Sequence, residues 1–147
     1  MPHTRRILHV DDDPAITRLV AKGLGDHGYT VTSLNDPTLV IEKVMADNHR
    51  VVILDLEMPS LDGSELLRQI KGHDPHIEVI MLTGTVSLSN VLQARHDGAL
   101  AFIAKPVHDF AILLNAVRRA FAAVEQDNLG LSDCAERGRL SPGQKSK

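Results

Sequence analysis

Three consecutive carboxylates, Asp11, Asp12 and Asp13, follow the apolar run Ile7-Leu8-His9-Val10, and a fourth, Asp55, follows Val51-Val52-Ile53-Leu54. Thr83 comes directly after Val79–Leu82, and Lys105, with Pro106 behind it, after Phe102-Ile103-Ala104. Carboxylates brought close together repel and raise one another's pKa unless a cation lies between them. Hard oxygen donors with open positions suit Mg2+, which keeps several waters and readily bridges to a phosphate. A lysine offers phosphoryl oxygens a mobile point charge, and a threonine offers them a donor. Together these residue types can hold a phosphoryl group on a carboxylate.

They act together only if the fold converges them. Short apolar runs at Arg6–Val10, Tyr29–Leu34, Val51–Leu54, Val79–Leu82 and Phe102–Ala104 alternate with amphipathic stretches. The stretches lie near Pro14–His27, Pro37–Asn48, Ser64–His73, Val86–Asp97 and Asp109–Val124. That alternation predicts βαβ units and a parallel sheet. Val51–Leu54 is apolar throughout, as a central strand covered on both faces requires. Pro14 and Pro37 each follow an Asp, giving a cap and a first-turn proline, while Gly28 and Gly98 suit helix ends. Ligands of open α/β sheets bind outside the carboxyl ends of the strands, where all the residues named above fall. A single Asp at a strand end is most often a cap or a turn residue. Four such positions on one sheet edge are not explained by capping.

The motifs Ile7-Leu8-His9-Val10-Asp11-Asp12-Asp13-Pro14, Asp55-Leu56-Glu57-Met58-Pro59-Ser60-Leu61-Asp62-Gly63, Met81-Leu82-Thr83-Gly84 and Phe102-Ile103-Ala104-Lys105-Pro106 resemble the receiver domain of two-component response regulators. The resemblance covers roughly residues 5–124, with the motifs in order. It implies a flavodoxin-like (βα)5 fold, a doubly wound five-stranded parallel sheet in the order 2-1-3-4-5. It further implies that Asp55 accepts phosphate from a histidine kinase, and that Asp12 binds Mg2+ directly and Asp11 through water. The Glu57 carbonyl is then the third protein ligand. Thr83 and Lys105 match the phosphoryl-sensing hydroxyl and the phosphoryl-binding lysine. Phe102 matches the switch aromatic, and Lys105–Pro106 is expected to be cis. His9 stands where the family has an aliphatic residue and is expected to be a satisfied core histidine. Gly84 leaves room beside the phosphoryl group.

The remaining sequence narrows the alternatives. Hydrophobic residues make up 43% and charged residues 24%, a globular balance rather than a disordered one. A net charge of -3 and the absence of Trp give no footprint for nucleic acid or an anionic membrane. No apolar run reaches the roughly 18 residues of a membrane span, and no signal peptide is visible. Cys134 is the single cysteine, so a reducing cytoplasmic location is expected. His73-Asp74-Pro75-His76 is broken by its proline and makes a poor metal site. A haloacid-dehalogenase-like, Mg2+-dependent phosphohydrolase is the alternative, but Asp11-Asp12-Asp13-Pro14-Ala15 meets only the two Asp positions of its motif. The expected role is a phosphoacceptor with slow self-hydrolysis, not a turnover enzyme.

Residues 5–124 are expected to form the receiver domain and 125–147 a flexible tail or linker stub, either of a single-domain regulator or of a longer chain. In the last helix Phe110, Leu113, Leu114, Val117, Phe121 and Val124 form a core stripe, and Ile112, Ala116 and Ala123, with Arg119, form an outer face. Val86 to Ala94 contains no charged residue. The face built by the fourth helix, fifth strand and fifth helix (α4-β5-α5 in family terms) is therefore expected to contact a downstream protein target or a second copy. The phosphodonor is expected to be a cognate histidine kinase or phosphotransfer protein.

Overall fold

The computed structural model describes residues 5–107 and 109–140, with side chains described as far as residue 127. In chain order the strands are β1 (Arg6–Val10), β2 (Thr30–Leu34), β3 (Val51–Leu54), β4 (Glu57–Met58), β5 (Leu61–Asp62), β6 (Glu78–Thr83) and β7 (Ala101–Ala104). The main sheet runs β2-β1-β3-β6-β7 with every neighbouring pair parallel. Counted without the β4–β5 hairpin, this is the expected order 2-1-3-4-5. The helices are α1 (Pro14–Gly25), α2 (Val40–Asp47), α3 (Gly63–His73), α4 (Leu88–His96) and α5 (Phe110–Leu140).

Alternation along the strands splits the core into two layers. Leu8, Val10, Val52, Leu54, Val79 and Met81 pack with Val40 and Val44 of α2, Leu66, Leu67 and Ile70 of α3, and Ala94 of α4. Ile7, Ile53, Ile80, Leu82 and Ile103 pack with Val20 and Leu24 of α1 and with Leu113, Val117 and Ala120 of α5. β3 is buried at all four positions, as its unbroken apolar run requires. Burying each such Val, Ile or Leu side chain contributes about 1.5–3 kcal/mol, and β1 and β6 on either side are buried to a similar extent.

Several boundaries differ from those the sequence suggests. Thr83 is the last residue of β6 rather than the one after it. A 3-10 turn at Pro37–Leu39 precedes α2, because Asp36 caps that turn and Pro37 begins it. Residues 57–62 close into the small antiparallel hairpin. α5 continues to Leu140, beyond Val124, where its apolar spacing ends. Ala116 belongs to the core rather than to the outer face of α5, being only 3% exposed; it is small enough to sit at the edge of the buried stripe. Ile112 is exposed as expected.

Candidate functional site

The site is built at the carboxyl ends of β1, β3, β6 and β7. Asp11 follows β1 and its backbone nitrogen donates to the Leu34 carbonyl, which ties the acidic loop to β2. Asp55 follows β3, and its nitrogen donates to the Val10 carbonyl. Parallel pairing thus extends one step past the strands and sets the two acids side by side. Lys105 follows β7, its nitrogen donating to the Thr83 carbonyl. The Lys105–Pro106 bond is cis.

Ninety-four residues apart in sequence, Lys105 and Asp11 form an ion pair of 2.6 Å; the same ammonium lies 3.2 Å from Asp55 Oδ2. Asp11 is fully buried and Asp55 nearly so. Burial alone would lower the pKa of Lys105, but the Asp11 hydrogen bond and the charges of Asp11 and Asp55 outweigh it and raise it. Asp55 Oδ1 also accepts from the Glu57 amide at 3.3 Å, and Asp11 Oδ1 from the Asp13 amide at 3.0 Å.

The three consecutive aspartates divide by role. Asp13 is the α1 cap, accepting from the Ala15 amide at 2.9 Å, so the ordinary turn explanation holds for it. Asp12 is exposed, and carboxylate oxygens of Asp11, Asp12 and Asp55 all lie within 4.8 Å of one another. One ammonium cannot neutralise three carboxylates, and this all-oxygen donor set fits a hard divalent cation such as Mg2+. Beside it, Asp12 and residues Leu56–Asp62 line an open cleft of about 810 Å3, so Asp12 presents the cluster to accessible space.

Thr83 is buried, and its hydroxyl accepts from the Thr85 amide at 3.2 Å. Gly84 has nothing near the position a β-carbon would take, which keeps the expected room beside the site. Phe102 is half-buried against the layer formed with α2, α3 and α4. His9 is fully buried, but neither ring nitrogen has a hydrogen-bond partner among the described residues. It is thus a core histidine but not a satisfied one. Burial pushes its pKa down to about 4, the Lys105 charge adding to the effect and Asp55 opposing it.

Two further contacts shape the site: one by Gly63, which closes the Asp55 motif without a role read for it from the sequence, and one by Asn35, which lies outside the motifs. Gly63 donates to the Leu56 carbonyl at 2.8 Å and presses α3 against the backbone that carries Asp55. The Asp62-Gly63 pair at a helix start is its sequence signal. Asn35, from the loop after β2, reaches the acidic loop with its side chain; nothing local in the sequence announces that contact.

The family model described as "Response regulator receiver domain" matches residues 7–118. The transcriptional regulatory protein DctD for C4-dicarboxylate transport from Pseudomonas aeruginosa is 36% identical over 115 residues, which is 78% of this chain and 25% of DctD. The chain thus spans about a quarter of that relative's length. A CheY-like receiver domain protein from Methanospirillum hungatei JF-1 is 30% identical, covering 85% of this chain and 99% of its own, with a TM-score of 0.79. The beryllofluoride-activated NtrC4 receiver domain dimer is similar at 29% identity and a TM-score of 0.78, covering 82% and 99% of the two chains. These likenesses do not favour the phosphohydrolase alternative. With the sheet order, the converging acids and lysine and the match over residues 7–118, the chain belongs to the response regulator receiver domain family of two-component systems.

Proposed function

We propose that this chain is a phosphorylatable switch in which Asp55 accepts a phosphoryl group from a histidine kinase or phosphotransfer protein. The observation that carries the reading is the Lys105 ammonium held against both Asp11 and Asp55 beside an open cleft. A carboxylate oxygen of Asp55 forms a bond to phosphorus as the phosphorus–nitrogen bond of the phosphohistidine breaks. The electron pair of that bond leaves with the imidazole. Asp12, Asp55 and the Glu57 carbonyl would hold Mg2+, with Asp11 acting through water. When bound, the metal supplies positive charge against the phosphoryl oxygens. Lys105 keeps its grip on Asp11 and offers its remaining donors to the phosphoryl group.

The new group brings about -1.5 to -2 charges, which biases whatever element can respond. Thr83 is that element: its hydroxyl turns to donate to a phosphoryl oxygen. The half-buried Phe102 then moves inward and reshapes the face of α4, β7 and α5. On that face Val86, Leu88, Leu92 and Ile112 are between 52% and 74% exposed, enough apolar surface for a downstream protein or a second copy. We take 5–124 as the receiver unit, since Val124 packs against the core; α5 runs on past it to Leu140, and residues 141–147 of the expected tail lie outside the described ones. We place the protein in the cytoplasm; no helix among the described residues is long and apolar enough to cross a membrane.

Incubation with acetyl phosphate and Mg2+ tests the reading. One acid-labile, hydroxylamine-labile phosphoryl group per chain, lost slowly, is expected. Many phosphates released per chain from small esters would point to a phosphohydrolase instead.

A further inference from the structure

We infer that Asn35 is a positioning residue for the metal site, fixing the peptide that joins Asp11 to Asp12. The inference rests on the proposed cation site and adds a residue to it. Asn35 Nδ2 donates to the Asp11 carbonyl oxygen at 2.8 Å and lies 3.2 Å from Thr17 Oγ1. Thr17 is buried and its hydroxyl donates to the Pro14 carbonyl at 3.1 Å. The Asn35 amide therefore spans both sides of the acidic turn, reaching the carbonyl at its start and the first turn of α1.

That carbonyl belongs to the peptide plane leading into Asp12. A peptide unit is planar, so holding its oxygen fixes the direction in which the Asp12 α-carbon leaves the strand. Asp11 is held independently, by its own amide on Leu34 and by its carboxylate on Lys105. Asp12 is exposed, and no side-chain hydrogen bond of its own is found among the described residues. Its carboxylate thus depends on the backbone beneath it for its place among the three acids. A neighbour that supplies no ligand atom still sets affinity when it orients one that does.

The test compares Mn2+ binding, read by electron paramagnetic resonance, in the wild type, Asn35→Leu and Asn35→Ala. Leucine keeps the branching and size of asparagine and removes the donor. Amide hydrogen exchange in metal-free protein is followed alongside. Both variants are expected to bind Mn2+ about fivefold more weakly, the loss of one directional hydrogen bond. Exchange at the Asp13 amide, which donates to Asp11 Oδ1, is expected to quicken, while that of β3 stays as in the wild type. In acetyl phosphate labelling, the Mg2+ concentration giving half the maximal rate rises and the rate at saturating Mg2+ is retained. Unchanged Mn2+ affinity in the two variants overturns the inference, even if urea stability falls. A wild type that binds no Mn2+, or binds it as tightly after Asp12→Ala, overturns the cation site itself.

Discussion

Gly63 lies so close to the carbonyl oxygen of Asp55 that a β-carbon at position 63 would overlap it, and would also fall 2.6 Å from the Leu56 α-carbon. Backbone atoms cannot swing aside as a flexible side-chain end can. Gly63→Ala must therefore displace either α3 or the strand end that carries Asp55. We expect a loss of stability of about 1–3 kcal/mol, the usual cost of overpacking, with markedly slower labelling of Asp55. Urea unfolding and acetyl phosphate labelling of the same sample check both parts. Wild-type behaviour in both assays would show that the contact is not needed.

Metal affinity is expected to separate Asp12 from Glu57. Asp12→Ala deletes a carboxylate from the three-acid cluster and should abolish measurable Mg2+ binding. Glu57→Ala keeps the backbone carbonyl and removes only an exposed side chain, so binding should persist within a few-fold. Isothermal titration calorimetry distinguishes the two. The reverse order would remove Asp12 from the ligand set.

Stability is expected to fall on mild acidification because of His9. Its folded pKa of about 4 lies below the ordinary value of 6.5, so the unfolded chain binds the proton first. Above pH 6.5 the ring is neutral in both states and adds no pH dependence, and stability is lost progressively as pH falls from there toward 4. The full loss is on the order of 3 kcal/mol in metal-free protein. His49, also buried and held below its usual pKa by burial and by Arg6, adds loss in the same direction. His9→Leu should flatten the curve of unfolding free energy against pH between 6.5 and 4. An unchanged slope would contradict the assignment.

The exposed apolar side chains of α4 and α5 give a fourth expectation. Leu88 of α4 is 74% exposed and Ile112 of α5 55%. Sedimentation velocity should show self-association on addition of beryllofluoride, a phosphoryl mimic, and Leu88→Glu or Ile112→Glu should prevent it. A monomer at high micromolar concentration with the mimic bound would exclude the homodimer and leave a heterologous partner for the same surface.

Much of this was legible in the sequence because the signals are local. An apolar run followed by Asp11, Asp55, Thr83 or Lys105 marks both a strand and its functional end, and the parallel sheet brings those ends together. Asp13 as a cap follows from Pro14 behind it. What stayed hidden depends on contacts between distant segments. The Asn35 amide on the Asp11 carbonyl, the press of Gly63 on Asp55 and the burial of Ala116 are fixed by how loops and helices settle on the sheet. No periodicity encodes them. His9 shows the converse: its burial follows from its place in β1, but its unpartnered ring is visible only once the surrounding layer is in place.

Direct evidence for the switch comes from locating the phosphoryl group after labelling with acetyl phosphate and Mg2+, by reduction with borohydride and peptide mass mapping. One modified residue per chain, at Asp55, is expected, with labelling lost in Asp55→Asn. A label on Asp11, Asp12 or Asp13, or full incorporation in Asp55→Asn, would contradict the assignment of Asp55 as the phosphoacceptor.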